Sequence, residues 1–174
     1  MHDLTVTAIG EDRPGIVAAV TGVFLERGCN LADCSMSLLR RQFAMILLVE
    51  APDDLTVEDL EGALSEPCER FGLVTSVREV AHADSALPAR PHVVSLYGKD
   101  RPGIVHRVAS VLASHGANVT DLVSRLAGDD VYTVIVDLDL PEAADADTVA
   151  ADLQDAARDL GIDLTFRASD TAEL

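Results

Sequence analysis

Apolar residues recur along this chain in two rhythms. Residues Leu4 to Ile9 alternate (Leu-Thr-Val-Thr-Ala-Ile) and predict a strand. Ile16, Val17, Val20, Val23 and Phe24 then recur at helical spacing and predict one buried stripe. Asp12 stands where it can cap that helix, and Pro14 falls near the first turn, where a missing N–H does no harm. Gly28 is the expected stop, because glycine takes positive φ freely. A second alternation over Leu31–Leu39 places Cys34, Met36 and Leu38 on one face and Ser35 and Ser37 on the other. Arg40-Arg41-Gln42 turns the chain into Phe43–Glu50, a run so apolar that a central strand is expected. After the loop Ala51-Pro52-Asp53-Asp54, helical spacing returns over Thr56–Phe71, with Val57, Leu60, Leu64, Cys68 and Phe71 inward. Pro67 interrupts that pattern and is expected to kink the helix or split it at Ser65-Glu66. Leu73–Val80 closes the set as a fourth strand.

The same order then returns. Val93–Tyr97, Val119–Leu126, Val131–Leu140 and Ile162–Phe166 read as strands, Pro102–Ser114 and Asp147–Leu160 as helices, and Gly128-Asp129-Asp130 as a hairpin turn. The residues after Arg167 have little to bury and are expected to fray. Gly10-Glu11-Asp12-Arg13-Pro14-Gly15-Ile16-Val17 reappears as Gly98-Lys99-Asp100-Arg101-Pro102-Gly103-Ile104-Val105, and the offset persists through Gly28/Gly116, Asn30/Asn118 and Asp33/Asp121. A turn kept twice, in register with the same downstream residues, marks a duplicated unit. The expected organisation is a first unit over 1–81, a small, polar, proline-bearing linker over 82–91, and a second unit over 92–174. The predicted fold class is α+β: two tandem ferredoxin-like βαββαβ units, each an antiparallel sheet of order 4-1-3-2 with its helices on one face. Units of roughly 80 residues have thin cores, so each is expected to pack on another unit, and a homo-oligomer, a dimer first, is favoured.

Composition narrows the function. The formal net charge is −17, Trp is absent and aromatics make up 3%. Such a chain is repelled by phosphate backbones and has few rings for base stacking, so no direct nucleic-acid partner is expected. No stretch of about eighteen apolar residues and no signal-like N-terminus occur, so no membrane partner and a cytoplasmic location are expected. Cys29, Cys34 and Cys68 form no CxxC pair and are expected to be small core fillers rather than metal ligands or a disulfide. His106 and His115 replace Ala18 and Arg27 of the first unit, so they belong to no shared site and are expected at the surface. No motif implies a cofactor, a metal or a catalytic residue. Acyl phosphate hydrolysis, which this architecture also supports, needs an Arg and an Asn around a phosphate loop, and no matching glycine-rich loop occurs.

Candidate chemistry therefore rests on the repeated turn. A helix entered at Asp12-Arg13-Pro14-Gly15 presents unpaired N–H groups that favour a carboxylate, and Gly15 lets a ligand approach the backbone. Asp12 is placed to accept from an ammonium group, so an amino acid suits the turn; ordinary capping explains the same residues equally well. Arg13 and Arg101 either clamp a carboxylate or pair with nearby acids. Asn30 and Asn118 either take a left-handed turn conformation after the helix or contact a ligand. In a single unit the turn and the Asn lie at opposite ends. Two units paired side by side would bring them together. One composite pocket would then join Asp12, Arg13, Pro14, Gly15, Ile16 and Val17 with Asn118 and Val119. The other would join Asp100, Arg101, Pro102, Gly103, Ile104 and Val105 with Asn30 and Leu31. The same pairing would cover an exposed sheet edge in each unit.

The βαββαβ order, the Gly-x-Asp-Arg-Pro-Gly-Ile-Val turn and the Gly-x-Asn-(Leu/Val) step after the first helix resemble the ACT domain, in both halves of the chain. The resemblance implies a small regulatory module that binds an amino acid at the interface of paired units. It points by position to Asp12–Val17 with Asn30, and to Asp100–Val105 with Asn118. Where family members often carry an Asn or His as a side-chain ligand contact, this chain has Asp12 and Asp100. It further implies a non-enzymatic regulator that acts through a separate protein partner, with transcriptional control of amino-acid metabolism as the expected setting.

Overall fold

A computed structural model describes residues 1–80, 89–127 and 131–169. The chain divides into two compact units, Met1–Ala83 and Asp84–Leu174. The first contains β1 (His2–Glu11), α1 (Ile16–Glu26), β2 (Asn30–Leu39), β3 (Gln42–Ala51), α2 (Val57–Phe71) and β4 (Val74–Glu79). The second repeats the order as β5 (Ala89–Lys99), α3 (Ile104–Ser114), β6 (Asn118–Ala127), β7 (Val131–Pro141), α4 (Ala146–Leu160) and β8 (Asp163–Ala168). Each sheet is antiparallel, with orders β2-β3-β1-β4 and β6-β7-β5-β8. This is the predicted architecture. The apolar run of β3 does lie inside its sheet, between β2 and β1.

The core of the first unit joins alternate residues of β1 and β3 (Leu4, Val6, Phe43, Leu47) to one stripe of each helix. That of the second does the same with Val94, Leu96, Val136 and Leu138. One inner position changes character between the units. The alignment sets Leu4 against His92, and His92 is buried at 6% exposure, stacked on Phe166 at 4.9 Å, with Nδ1 3.0 Å from the Arg90 carbonyl.

Several local expectations need correction. Helix α1 starts at Ile16, and Asp12 does not cap it. The cap is Gly15, with no side-chain hydrogen bond. Val17 is 46% exposed and lies outside the buried stripe, although its neighbours Ile16 and Val20 are in it. Helix α2 runs unbroken from Val57 to Phe71 with Pro67 inside it. Cys68 is buried and Cys29 half-buried, but Cys34 is exposed, because β2 is exposed at every position. Met36 and Leu38 share this fate at 59% and 56% exposure. Their cross-strand partners Met45 and Phe43 are buried, so they stand on the core side of the sheet yet beyond the cover of the helices. His115 is half-buried rather than superficial, with Nε2 2.8 Å from the Asp152 carboxylate. Strand β5 begins at Ala89, inside the expected linker; the rest of that linker up to residue 88, the Gly128–Asp130 turn and residues 170–174 of the tail lie outside the described residues.

Candidate functional site: the repeated strand-to-helix turn

The conserved geometry of the two turns explains most of their residues. The Arg13 carbonyl accepts from the Ile16 N–H at 3.5 Å, which makes Arg13-Pro14-Gly15-Ile16 a four-residue turn. Gly15 has φ 97° and ψ −6°, the values that the third residue of a type II turn requires. Proline at the second position presets φ, and glycine at the third carries no steric penalty. Gly103 has the same angles, φ 97° and ψ −6°, behind Arg101-Pro102. The first glycine of the motif has a different reason. A Cβ on Gly10 would meet Leu73 Cδ2 at 2.7 Å and the Gly72 carbonyl at 3.0 Å; on Gly98 it would meet Ile162 Cγ2 at 2.7 Å. Strand β1 therefore passes the entry to β4 at a distance only glycine allows.

The helix downstream ends in a hydrogen-bonded motif common to both units. Gly28 N–H donates to the Leu25 carbonyl at 3.2 Å and Cys29 N–H to the Phe24 carbonyl at 2.9 Å. Gly116 and Ala117 repeat this with Ala113 and Leu112 at 3.0 Å each. These pairs, with Gly28 at φ 70° and Gly116 at φ 71°, form a Schellman motif. The left-handed role thus falls to glycine. Asn30 and Asn118 open β2 and β6 in register with Glu50 and Asp139, so the left-handed reading of the asparagines is overturned. Asn30 Nδ2 donates to Glu50 Oε2 at 2.9 Å. Three residues on, each edge strand shifts register between Leu31/Asp33 and Val119/Asp121. The Asp33 carboxylate accepts from the Cys34 N–H at 2.7 Å and Asp121 accepts from Leu122 N–H at 2.9 Å. The retention of both aspartates therefore reflects a bulge.

Around the first turn the structure opens a groove of about 530 Å³, lined by Asp12 to Ala18 together with Thr21, Met36 and Phe43. All six turn residues singled out from the sequence thus face one space. The first intrahelical bond is Ala19 N–H to the Gly15 carbonyl at 2.9 Å, which leaves the Val17 and Ala18 N–H groups without a helical acceptor. Asp12 N–H donates to the Arg41 carbonyl at 2.9 Å and ties the turn to the β2–β3 hairpin. Arg13 and Arg41 share Glu11, at 3.2 Å to Oε2 and 3.3 Å to Oε1. Arg101 instead donates to the Leu160 carbonyl at 3.2 Å, at the end of α4. Asn30 and Leu31 do not line the first groove. In the second unit Val105 and Val119, which the sequence assigns to different composite pockets, both line a narrow apolar cleft of about 10 Å³ together with Val108, Ala109 and Leu122, so within that unit they do not lie at opposite ends. Sequence reading missed Thr21, Met36 and Phe43 as groove residues. Met36 was visible only as one member of an alternating strand, and its exposure depends on how far the helices reach.

Among the described residues no cluster of three or more His, Cys, Asp or Glu side chains is placed to hold a metal. No helix among them is long and apolar enough to cross a membrane.

A duplicated ferredoxin-like unit with this turn at each helix entry defines a class, and comparison with known proteins agrees. ACT-domain models match residues 2–78 and 92–158, so the chain belongs to the ACT-domain family. Among curated proteins it is similar to the glycine cleavage system transcriptional repressor of Escherichia coli (strain K12), at 30% identity over 125 residues. That match takes in 71% of this chain and 65% of the relative. A crystal structure of an unknown protein from Galdieria sulphuraria superposes with a TM-score of 0.83 at 25% identity, over 97% of this chain and 98% of that one. A further crystal structure, provisionally assigned as a glycine cleavage system transcriptional repressor, superposes with a TM-score of 0.73 over 98% of both chains; at 16% identity it shares the fold.

Proposed function

We propose that this chain is a non-enzymatic regulator that senses a small molecule, an amino acid, and acts through a protein partner. The observation that carries the reading is the groove at the first turn. It combines helix N–H groups, the Asp12 and Arg13 side chains and an apolar floor of Met36 and Phe43 in one space. An amino acid offers a carboxylate for the N–H groups, an ammonium for Asp12, and a side chain for the floor. The repetition of the turn in both units supports the same role at Asp100–Val105. The edge strands β2 and β6 remain exposed, which supports closure of each turn by the start of a paired edge strand. In that arrangement Asn118 and Val119 complete the Asp12–Val17 site, and Asn30 and Leu31 complete the Asp100–Val105 site. A homodimer supplies one such pairing. Amino-acid binding would then favour one arrangement of paired units over another, and a partner protein would read the difference. The name of the Escherichia coli relative supports transcriptional control of amino-acid metabolism as the setting, and the location proposed with it is the cytoplasm.

A thermal-shift panel of the twenty amino acids tests this. Saturation at one hundred times the dissociation constant stabilises by about 2.7 kcal/mol. The absence of a shift with all twenty would remove the amino-acid role.

A further inference from the structure

We infer that the outer face of α1 is the docking surface for the protein partner, and that the partner presents a basic amphipathic helix to it. This rests on the reading that the chain acts through another protein.

A surface helix of a globular unit is apolar along one stripe and polar on the other side. Helix α3 obeys this, with His106, Arg107 and Ser110 exposed. Helix α1 does not. From Ile16 to Leu25 it carries no charge. Its buried stripe is Ile16, Val20, Val23 and Phe24, so Ala18, Gly22 and Leu25 fall on the opposite side, with Val17 and Thr21 beside them. Leu25 is 81% exposed and Val17 46%. The Thr21 hydroxyl donates to the Val17 carbonyl at 2.8 Å, so its polar group is spent within the helix. The repeat sets His106, Ser110 and Ala113 against Ala18, Gly22 and Leu25, so the second unit does not share this apolar face.

Gly22 is a separate observation. Glycine inside a helix destabilises it relative to alanine. A Cβ at Gly22 would meet nothing within 4 Å, so no described neighbour in the chain requires the glycine. With Ala18 one turn before it, Gly22 makes a notch that lets a second helix axis come close.

Charge on the flanks names the occupant. Helix α1 packs against α2, which bears Glu58, Asp59, Glu61, Glu66 and Glu69 against a single Arg70. Glu26 ends α1, and Arg27 just beyond it acts on Asp59. At the other end Arg13 and Arg41 both pair with Glu11, which leaves Arg40 of the hairpin as the cation there outside an ion pair among the described residues. A second copy would bring the same acidic helix and a net charge of −17, and like charges oppose it. A helix with Lys or Arg along its flanks is drawn in, and its apolar stripe meets the α1 face. Val17, Ala18 and Thr21 also line the turn groove. An effector in the groove and a partner on the face therefore share a wall, which gives the one a direct means of altering the other.

Fluorescence anisotropy of two synthetic helices with the full chain tests the inference. Each has about 18 residues, enough to be helical alone, with Leu and Ala on one face. One carries Lys along its flanks and the other Glu. The Lys helix is expected to bind about tenfold more tightly than the Glu helix or better, with the gap narrowing in salt. Leu25→Glu is expected to weaken the Lys helix about tenfold. Its added acid favours the Lys flanks, so only lost apolar contact explains such a drop. Gly22→Leu keeps the face apolar but fills the notch, and is expected to weaken binding as well. Ser110→Glu, at the matching place on α3, is expected to leave it unchanged. Equal binding of the two helices, silence towards both, or full binding by Leu25→Glu and Gly22→Leu would overturn the inference. Self-association of the parent that Leu25→Glu abolishes would also overturn it, because the face would then belong to a second copy. An amino-acid thermal shift with both helices silent would overturn the docking surface and leave the sensing role standing. Binding of the Lys helix with no shift from any amino acid would do the reverse.

Discussion

Substitution of Gly103 by alanine isolates the conformational demand of the repeated turn. An ideal Cβ at Gly103 meets nothing within 4 Å, so no steric clash accompanies the change. What remains is the backbone, held at φ 97°. An L-residue in left-handed conformation costs about 1–2 kcal/mol. The reduced freedom of the unfolded chain makes no rescue, because alanine at positive φ loses more than the 0.4–1 kcal/mol (roughly) that it gains there. For a unit of this size each 1 kcal/mol moves Tm by roughly 4–8 °C. Calorimetry of the full chain should therefore show a transition lowered by about 4–16 °C, with Gly103→Asn lowered less because asparagine tolerates this region better. Gly98→Ala supplies the contrast: its Cβ would meet Ile162 at 2.7, 3.0 and 3.2 Å, and overpacking of that kind costs about 1–3 kcal/mol. An unchanged or raised Tm in Gly103→Ala would refute the type II assignment and return the glycine to ligand access. For the same reason a Gly15 variant is a poor probe of binding, since any side chain there strains the turn before it reaches the groove.

Three further outcomes follow from local geometry. Replacing Arg40-Arg41 by Asn-Gly suits a hairpin with two positive φ values and should stabilise the first unit by about 1–3 kcal/mol; a melting curve without a rise would show that the turn stores no strain. Thr56→Ala removes a capping box in which the Thr56 hydroxyl accepts from the Asp59 N–H and donates to the Asp59 carboxylate, and should cost about 0.5–2 kcal/mol near neutral pH. The Thr56 side chain and backbone bonds hold the Asp59 carboxyl below the ordinary range, so their stabilisation is complete above the unfolded value and fades as pH falls through the folded one. The gap between denaturant midpoints of the variant and its parent should narrow in acid, leaving the share of the Asp59 N–H bond to the Thr56 hydroxyl, and a constant gap would contradict the linkage. Pro67→Ala restores the missing N–H inside α2 and should raise stability by about 1–3 kcal/mol in urea unfolding; no gain would mean that the helix has already adapted around the ring.

The periodicities carried most of the fold because they report burial directly. Alternation over Leu4–Ile9 and the apolar run of Phe43–Glu50 named the two inner strands of the first unit, and the repeat then named the second unit. Two of the failures share a source: the backbone fills roles that the sequence offers to side chains. Asp12 has a capping sequence, yet Gly15 at φ 97° ends the turn and begins the helix without it. Asn30 follows a helix stop, yet Gly28 and the N–H of Cys29 already complete that stop. Alternation over Leu31–Leu39 is real, but two helices are too narrow to cover four strands, and the pattern cannot say which edge goes uncovered. The turn residues of the candidate groove were legible as a repeat. Met36, Thr21 and Phe43 were not, because each looks like core until the width of the helical layer is known.

The bare outer strands give the acidity of this chain a colloidal meaning. β2 exposes all ten of its residues, Met36, Leu38 and Leu39 among them, and β6 exposes Val119, Leu122, Val123 and Leu126. A strand with free amide groups and greasy neighbours is a template for unlimited end-to-end addition. Like-charge repulsion at −17 holds copies apart at long range, and a specific mate can still dock where its own surface is matched. Concentrated salt or acid removes that protection without unfolding anything, so turbidity should rise under either condition well before the melting transition shifts.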